Sequence, residues 1–185
     1  RLGPYCSYCE RHIVTMLAVE HIQPKDLVAY AHLVGRWDNF LLACVNCNST
    51  KGDKDVRLAD HLLPDRDNTF AAYEYRMDGT MWPVVGLAQA ALSAAHATRT
   101  LVGLDKPVSV ALDANGKEVA LDRVTQRKEA WLVALEAVTD LLQEPGNDAL
   151  RRATVRTARA TGYFSIWMAA FVHDTDMRQR LIAAF

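Results

Sequence analysis

The chain contains two CxxC pairs, and these pairs hold all four of its cysteines. The first pair is Cys6 and Cys9, and the second is Cys44 and Cys47. Each CxxC turn can supply two thiolates to one metal ion, so a doubled pair indicates a tetrahedral zinc site. Four cysteine ligands leave no open coordination position, which predicts a structural zinc whose loss unfolds the surrounding segment. Two free thiol pairs, or a redox-active CxxC, are the alternative interpretation.

The composition sets the size and the class of the protein. Its 185 residues predict one domain, or one compact domain with a small module, and 50% of them are hydrophobic, which is enough for a core. No apolar run approaches the roughly 18 residues of a membrane span, and no signal peptide is visible. We therefore expect a cytoplasmic protein, in which paired cysteines bind metals more often than they form disulfides. Because the chain starts at Arg1, we expect N-terminal sequence to be missing.

The N-terminal part of the chain predicts two strands and a short helix. β-Branched and apolar residues over 13–22 predict the first strand, and residues 37–43 predict the second. The helix is expected to start near Asn48 or Ser49, because both are good N-cap residues.

The remainder is predicted to be mainly helical after one hairpin. Residues 70–84 indicate that hairpin, with its turn at Asp78-Gly79. Apolar periodicity and glycine or proline breaks then predict a series of helices over 85–102, 120–143, 147–160, 163–172 and 174–185.

Five residues form a candidate catalytic set: Glu20, His21, Asn39, Asn48 and Lys51. A histidine can accept a proton near neutral pH, and carboxylate and amide oxygens suit a hard divalent cation. Each residue alone has an ordinary interpretation as an exposed strand residue, a turn residue, a helix cap or a solvated helix end. Strand geometry also limits the set, since neighbours on a regular strand point to opposite faces.

Three segments in this order resemble the HNH endonuclease family: residues 19–25 (VEHIQPK), 37–44 (WDNFLLAC) and 47–52 (CNSTKG). More narrowly, the doubled CxxC makes the chain similar to zinc-stapled members found in bacterial anti-phage defence, such as the Septu-type HNH component. The resemblance implies an α+β fold. A ββα-metal module with a structural four-cysteine zinc site would occupy residues 1–80, and a mainly α-helical segment would occupy 81–185.

The resemblance also assigns roles to the five residues. His21 would be the general base that takes a proton from the attacking water, and Asn39 would orient it through the loop backbone. Glu20 and Asn48 would hold one catalytic divalent ion, and Lys51 would lie near the scissile phosphate. Because the last motif position is often histidine in the family and is Asn48 here, we expect Mg²⁺ or Mn²⁺ rather than zinc as the catalytic ion.

The implied activity is metal-dependent hydrolysis of phosphodiester bonds, with DNA as the expected substrate and a 5′-phosphate product. Cleavage of RNA, such as a tRNA, and a catalytically idle zinc-stabilised binding module are the alternatives. The net charge is only −1, so we expect a protein partner on the helical segment to deliver the nuclease. The Septu-type resemblance suggests that this partner is a defence ATPase.

Contacts to nucleic acid outside the motif are expected at one basic cluster. Arg152, Arg156 and Arg159 recur at helical spacing, so they share one helix face and could follow a phosphate backbone. A solvated or partner-facing surface is the alternative. The aromatic residues near the cysteines are expected to pack around the zinc rather than stack on bases; these are Tyr5, Tyr8 and Trp37.

Overall fold

The computed structural model describes residues 3–106, 110–112, 118–120 and 123–185, the two three-residue segments by their backbone alone. Small two-stranded sheets and many helices make up the described chain, as the mixed fold class predicts. The chain divides into two compact units. The first contains Arg1–Cys9, Ile13–Glu74 and Met81–Asp105, and the second contains Glu10–His12, Tyr75–Thr80 and Lys106–Phe185. The predicted boundary at residue 80 stays a prediction.

The first unit is built mainly from short strands and helices. These are β1 (Leu17–His21), β2 (Phe40–Cys44), α1 (Val45–Lys51), α2 (Thr69–Ala72), β3 (Tyr73–Tyr75), β4 (Met81–Pro83) and α3 (Gln89–Leu101). Three 3-10 turns lie between them, at Val28–Leu33, Trp37–Asn39 and Leu58–Asp60.

Strands β1 and β2 form an antiparallel pair in which Glu20 lies opposite Leu41. Strand β1 starts later than predicted, because Met16 has a φ of 55°, a left-handed conformation that a regular strand does not contain. Strand β2 also starts late, since the 3-10 turn ends at Asn39. One face of the pair is buried at Glu20 and Leu41, and the other exposes Val19.

Helix α1 begins at Val45, and the predicted caps Asn48 and Ser49 lie inside it. The N-cap is Cys44, whose Sγ accepts a hydrogen bond from the Cys47 backbone N at 3.4 Å. The predicted helix start was therefore wrong, because the second CxxC pair itself forms the first turn of the helix.

The hairpin and the helix that follows it agree with the sequence predictions. Strands β3 and β4 pair with each other, and Gly79 at the turn has a φ of 83°. Helix α3 lies within the predicted range, and Gly103 follows it with a φ of 62°, as expected for a helix C-terminus. The buried side chains of this region include Val56, Leu63, Ala95 and Val102.

The second unit is largely helical. Its elements are the antiparallel pair β5 (Val110–Leu112) and β6 (Glu118–Ala120), followed by α4 (Arg123–Gln143), α5 (Asp148–Thr161), α6 (Phe164–Ala170) and α7 (Thr175–Ala184). Helix α4 packs on α5 and α6, and α7 packs on the same two helices. The four helices confirm the predicted ones, except that Ala120, the predicted start of the first, ends β6 instead; residues 121 and 122 lie outside the described chain. The core side chains without solvent exposure include Ile166, Trp167, Met177 and Leu181.

Side-chain caps define where two of these helices begin. Asn147 Oδ1 accepts from the Leu150 backbone N at 3.0 Å, and Asp174 Oδ1 accepts from the Met177 backbone N at 2.9 Å. Asparagine and aspartate are both preferred N-cap residues. Over the described ranges, no helix combines the length and the apolar character that a membrane crossing requires.

The short segment Glu10–His12 packs closely on the end of α5. Gly162 has a φ of 78°, and a Cβ placed there would lie 2.5 Å from both the Glu10 carbonyl oxygen and the His12 backbone N. The next residue, Tyr163, donates its backbone N–H to the Glu10 carbonyl at 2.8 Å. Only glycine combines this conformation with so close an approach.

Candidate active site and metal centre

The two CxxC pairs meet in one cluster. The Sγ atoms of Cys6, Cys9, Cys44 and Cys47 all lie within 4.8 Å of one another, and all four side chains are buried. The Sγ atoms of Cys9 and Cys44 are 3.9 Å apart. This distance is far longer than a disulfide bond of about 2.0 Å, and the four cysteines are free thiols. The arrangement therefore excludes two independent pairs and can hold one metal ion.

The geometry of the cluster fits a tetrahedral tetrathiolate site. With metal–sulfur bonds of about 2.3 Å, the sulfur atoms of such a site lie roughly 3.8 Å apart, close to the separation of Cys9 and Cys44. Hydrogen bonds from the thiols of Cys47, Cys6 and Cys9 lower the pKa of Cys44. A cysteine binds a metal ion as a thiolate, and a lowered pKa favours that form.

Local structure brings the two pairs together. The backbone N of Ser7 donates to the Leu42 carbonyl at 2.9 Å, which joins the first CxxC loop to strand β2. The second pair lies at the end of β2 and in the first turn of α1. The cluster thus fixes the start of the chain to the junction of β2 and α1.

Glu20 and Lys51 form a buried ion pair beside this junction. The Nζ of Lys51 lies 2.7 Å from Oε1 of Glu20, and the two side chains are 1% and 2% exposed. The same Nζ donates hydrogen bonds to the carbonyls of His21 at 2.8 Å and Gly52 at 3.4 Å. Burial raises the pKa of Glu20, and the Lys51 ammonium opposes that rise. One lysine therefore contacts both the predicted metal ligand and the peptide of the predicted base.

His21 ends β1, one residue beyond the buried Glu20, and its side chain is half-buried. Its Nε2 lies 3.2 Å from the Val34 carbonyl oxygen, and its ring packs edge-on against Phe40 at 4.8 Å between centroids. A carbonyl oxygen only accepts hydrogen bonds, so this contact requires a proton on Nε2. In that tautomer, Nδ1 is the ring nitrogen that can accept a proton.

Asn39 fixes the backbone that follows His21. Its Oδ1 accepts from the Gln23 backbone N at 2.9 Å, and its Nδ2 donates to the Gln23 carbonyl at 3.0 Å. Its own carbonyl accepts from the Ile22 backbone N at 2.9 Å. The side chain is 5% exposed, so these contacts are made out of reach of competing water.

Asn48 lies in the middle of α1 and is half-buried. It precedes Lys51 by three residues, which makes the two side chains neighbours on the helix surface. Helix α1 packs against β1, and Lys51 reaches Glu20 from that side. Asn48 therefore shares a face of α1 with Lys51, and it is not the helix cap that its type alone would suggest.

Two expectations from the sequence need revision. The Nζ of Lys51 is buried and engaged with Glu20 and the His21 carbonyl, so in this arrangement it cannot reach a phosphate in solvent. Trp37 does not pack around the cysteines with Tyr5 and Tyr8, which are buried. Its side chain is 72% exposed because it precedes β2 in a surface turn, and its ring contacts Phe40 edge-on.

The basic cluster of α5 lies in the second unit and is partly neutralised. Arg152 pairs with Asp148 one turn earlier, and Asp148 also pairs with Arg180 of α7 at 2.7 Å. The side chains of Arg156 and Arg159 are exposed. All three predicted phosphate contacts thus lie at the surface, and Arg152 is paired with an acidic residue one turn earlier.

The Glu20–Lys51 pair is the feature that reasoning from sequence missed. Gln23 was missed as well: its side-chain amide donates to the Val56 carbonyl at 3.2 Å and fastens the loop after β1 to the segment after α1. The sequence did carry a signal for the pair: an acidic residue at an inward strand position and a lysine on the helix that packs on that strand. Buried charges require a partner, so two such residues are expected to pair with each other.

Comparison with known proteins agrees with this geometry. No curated protein matches the chain. Residues 6–54 match the family model described as HNH endonuclease. The matched segment begins at the first cysteine, ends just after α1, and includes Glu20, His21, Asn39, Asn48 and Lys51. This segment therefore carries the family signature of the HNH endonucleases, which supports a nuclease that interacts with nucleic acid.

Proposed function

We propose that the protein is a metal-dependent endonuclease that hydrolyses phosphodiester bonds in DNA. The observation that carries the proposal is the family match over residues 6–54, the same segment in which the four cysteines, the Glu20–Lys51 pair and the Asn39 contacts meet. In this proposal β1, β2 and α1 form the ββα-metal unit of the family. The product carries a 5′-phosphate.

His21 is the general base of the proposed reaction. With Nε2 held by the Val34 carbonyl, Nδ1 takes the proton of the attacking water. Asn39 keeps the ring in place, because it fixes the peptide of Gln23 two residues further along the chain. Loss of a general base typically costs about 10²–10⁴-fold in rate.

Glu20 and Asn48 are the proposed ligands of a catalytic Mg²⁺ or Mn²⁺. Their donors are a carboxylate and an amide oxygen, as a hard divalent cation prefers. Oε1 of Glu20 is buried and lies 2.7 Å from the Lys51 ammonium, so a divalent cation at this carboxylate would have to displace Lys51 from it. A divalent ion held there would offset the negative charge that develops on the phosphate.

The four cysteines are proposed to hold a structural zinc. Buried thiolates on all four sides leave no room for a substrate or a water ligand, which is the arrangement of closed zinc sites. This ion would stabilise the junction of β2 and α1, from which Asn48 and Lys51 project.

The cellular setting is part of the same proposal. We place the enzyme in the cytoplasm, as an effector of anti-phage defence whose targeting depends on a protein partner, for example an ATPase. The low net charge of −1 supports the need for such a partner, since non-specific affinity for nucleic acid comes mainly from Lys and Arg contacts with phosphates.

The decisive experiment compares cleavage by the full chain and two histidine variants. The protein is incubated with Mn²⁺ and supercoiled plasmid DNA or, separately, a tRNA pool. We expect plasmid cleavage by the unchanged protein and by His96→Ala, whose side chain is exposed on α3. His21→Ala should be slower by about 10²–10⁴-fold.

Equal cleavage by His21→Ala and the unchanged protein would contradict the mechanism. Cleavage of the tRNA pool alone would replace DNA by RNA as the substrate. Absence of any His21-dependent cleavage would favour the zinc-stabilised binding module.

A further inference from the structure

The Lys51 side chain carries a buried charge next to the candidate site. It lies on α1 and is 1% exposed. Its ammonium donates hydrogen bonds to the carbonyls of His21 and Gly52, and it lies 2.7 Å from Oε1 of Glu20. An ammonium group has three N–H donors, and Lys51 has three oxygen contacts within the protein, one for each donor.

The ion pair is not needed for packing. A buried ion pair adds little net stability, because the desolvation of two charges offsets their attraction, and a well-packed apolar pair is often as stable. Lys51 also holds the carbonyl of His21, the candidate base. Its burial is therefore better explained by the way it positions the residues of the site. Its geometry affects Glu20 and His21 together, and these residues point to different faces of β1.

The contact with Glu20 is an ion pair at hydrogen-bond distance. The Nζ of Lys51 lies 2.7 Å from Oε1 of Glu20. The ammonium therefore balances the charge of the carboxylate and occupies this oxygen. A second cation that approaches Oε1 would meet a like-charged group already in contact with it, and would have to displace that group.

We propose that Lys51 is the built-in counter-ion of the site: it holds the Glu20 carboxylate and the His21 peptide in place, and it competes with the divalent metal for that carboxylate. The proposal rests on Glu20 being a ligand of the catalytic ion in the proposed function. Lys51 is thus a positioning residue, and it replaces the phosphate contact that its motif position suggested. Its presence weakens the binding of the metal in the absence of substrate.

Titration of Mn²⁺ tests the competition without any measurement of activity. Free Mn²⁺ is followed by electron paramagnetic resonance during titration of the full chain. The Lys51→Gln variant keeps an amide donor for the His21 carbonyl and loses the charge. We expect it to bind Mn²⁺ about tenfold more tightly, equivalent to about 1.4 kcal/mol.

Two matched variants define the site. Lys54→Gln removes a nearby lysine whose Nζ donates to the carbonyls of Thr50 and Leu101, and it should bind Mn²⁺ like the unchanged chain. Glu20→Gln should lose the binding. A folded Lys51→Gln protein with unchanged or weaker Mn²⁺ affinity would overturn the proposal.

A second measurement uses the unchanged protein, in case Lys51→Gln does not fold. Amine acetylation is quantified by mass spectrometry with and without saturating Mn²⁺. If the metal displaces the ammonium from Glu20, labelling of Lys51 rises severalfold and labelling of Lys54 stays constant. Lys51 labelling that does not respond to Mn²⁺ would refute the competition.

The two proposals can fail separately. A chain that cleaves DNA through His21 but shows no response at Lys51 would leave the nuclease assignment intact and remove the counter-ion role. A chain that binds Mn²⁺ more tightly after Lys51→Gln but cleaves neither DNA nor RNA would keep the counter-ion role and remove the nuclease assignment.

Discussion

At the scale of single residues, Asn39 fixes the backbone just after His21 through hydrogen bonds. Its side-chain oxygen accepts from the backbone N–H of Gln23, and its side-chain nitrogen donates to the Gln23 carbonyl. Its backbone carbonyl accepts from the Ile22 N–H. Among uncharged side chains, the carboxamide of asparagine and glutamine offers a donor and an acceptor side by side, and asparagine is the shorter of the two. The choice of asparagine at this position therefore follows from the backbone that it must satisfy.

Replacement of Asn39 should lower both stability and cleavage. Asn39→Ala leaves the Gln23 N–H and carbonyl without their partners, and a buried unsatisfied group costs about 1–3 kcal/mol. Urea denaturation should show that loss, and the turnover rate should fall while Mn²⁺ affinity stays unchanged. The control is Asn46→Ala, a half-buried asparagine of α1. Unchanged turnover in a folded Asn39→Ala protein would show that the loop does not position His21.

At the scale of elements, the cysteine cluster decides where α1 begins. The Cys44 thiol caps the helix, and Cys47 lies in its first turn. The same turn sets the register of Asn48 and Lys51 further along α1. Metal binding and the geometry of the candidate site are therefore linked through one seven-residue helix.

Removal of the metal should unfold the first unit. We expect one zinc per chain by elemental analysis, and a strong chelator should abolish the cooperative thermal transition of this unit, because binding energy at a structural site is folding energy. Cys47→Ser should behave in the same way. Ser7→Ala, in the loop of the first CxxC pair, should keep both the zinc and the transition. Purified protein that is fully folded without bound metal would contradict the structural role of the site.

The close approach at the end of α5 gives a second element-scale prediction. In Gly162→Ala, the added Cβ would meet the Glu10 carbonyl and the His12 backbone N at 2.5 Å, and the positive φ adds strain of about 1–3 kcal/mol. Gly146→Ala is the control, since nothing lies within 4 Å of its Cβ. Urea denaturation should show a large loss of stability for the first variant and little change for the second. Equal stability of the two variants would show that this contact is not maintained in solution.

At the scale of the whole molecule, charge is balanced rather than concentrated. The net charge is −1, and much of the basic character of α5 is paired: Arg151 with Asp174 at 2.8 Å, and Arg152 with Asp148. Arg156 is exposed on the same helix. Any phosphate contact by the second unit should therefore depend on few residues.

The salt dependence of DNA binding tests the role of Arg156. If its guanidinium contacts a phosphate, Arg156→Gln should weaken binding and reduce the slope of log K against log salt by about 0.9. Lys128→Gln removes one exposed charge from α4 and should leave the slope unchanged. Fluorescence anisotropy at several salt concentrations measures both. Equal slopes for the two variants would assign the basic face to solvent or to a protein partner.

The four-cysteine cluster, most of the helices and the set of candidate residues follow from the sequence alone. CxxC spacing, apolar periodicity and turn residues are local properties, and local geometry follows from them directly. The start of α1 was misassigned because a thiol, not a standard cap residue, accepts the N-terminal hydrogen bond.

Which of these residues meet, and how they affect one another, depends on tertiary packing. The packing of α1 on β1 buries Lys51 against Glu20, and the 3-10 turn before β2 leaves Trp37 exposed. Sequence spacing does not encode the distance between a strand and a helix 30 residues apart. Burial then changes the role of a charge, because a lysine without access to solvent must find its partners within the protein.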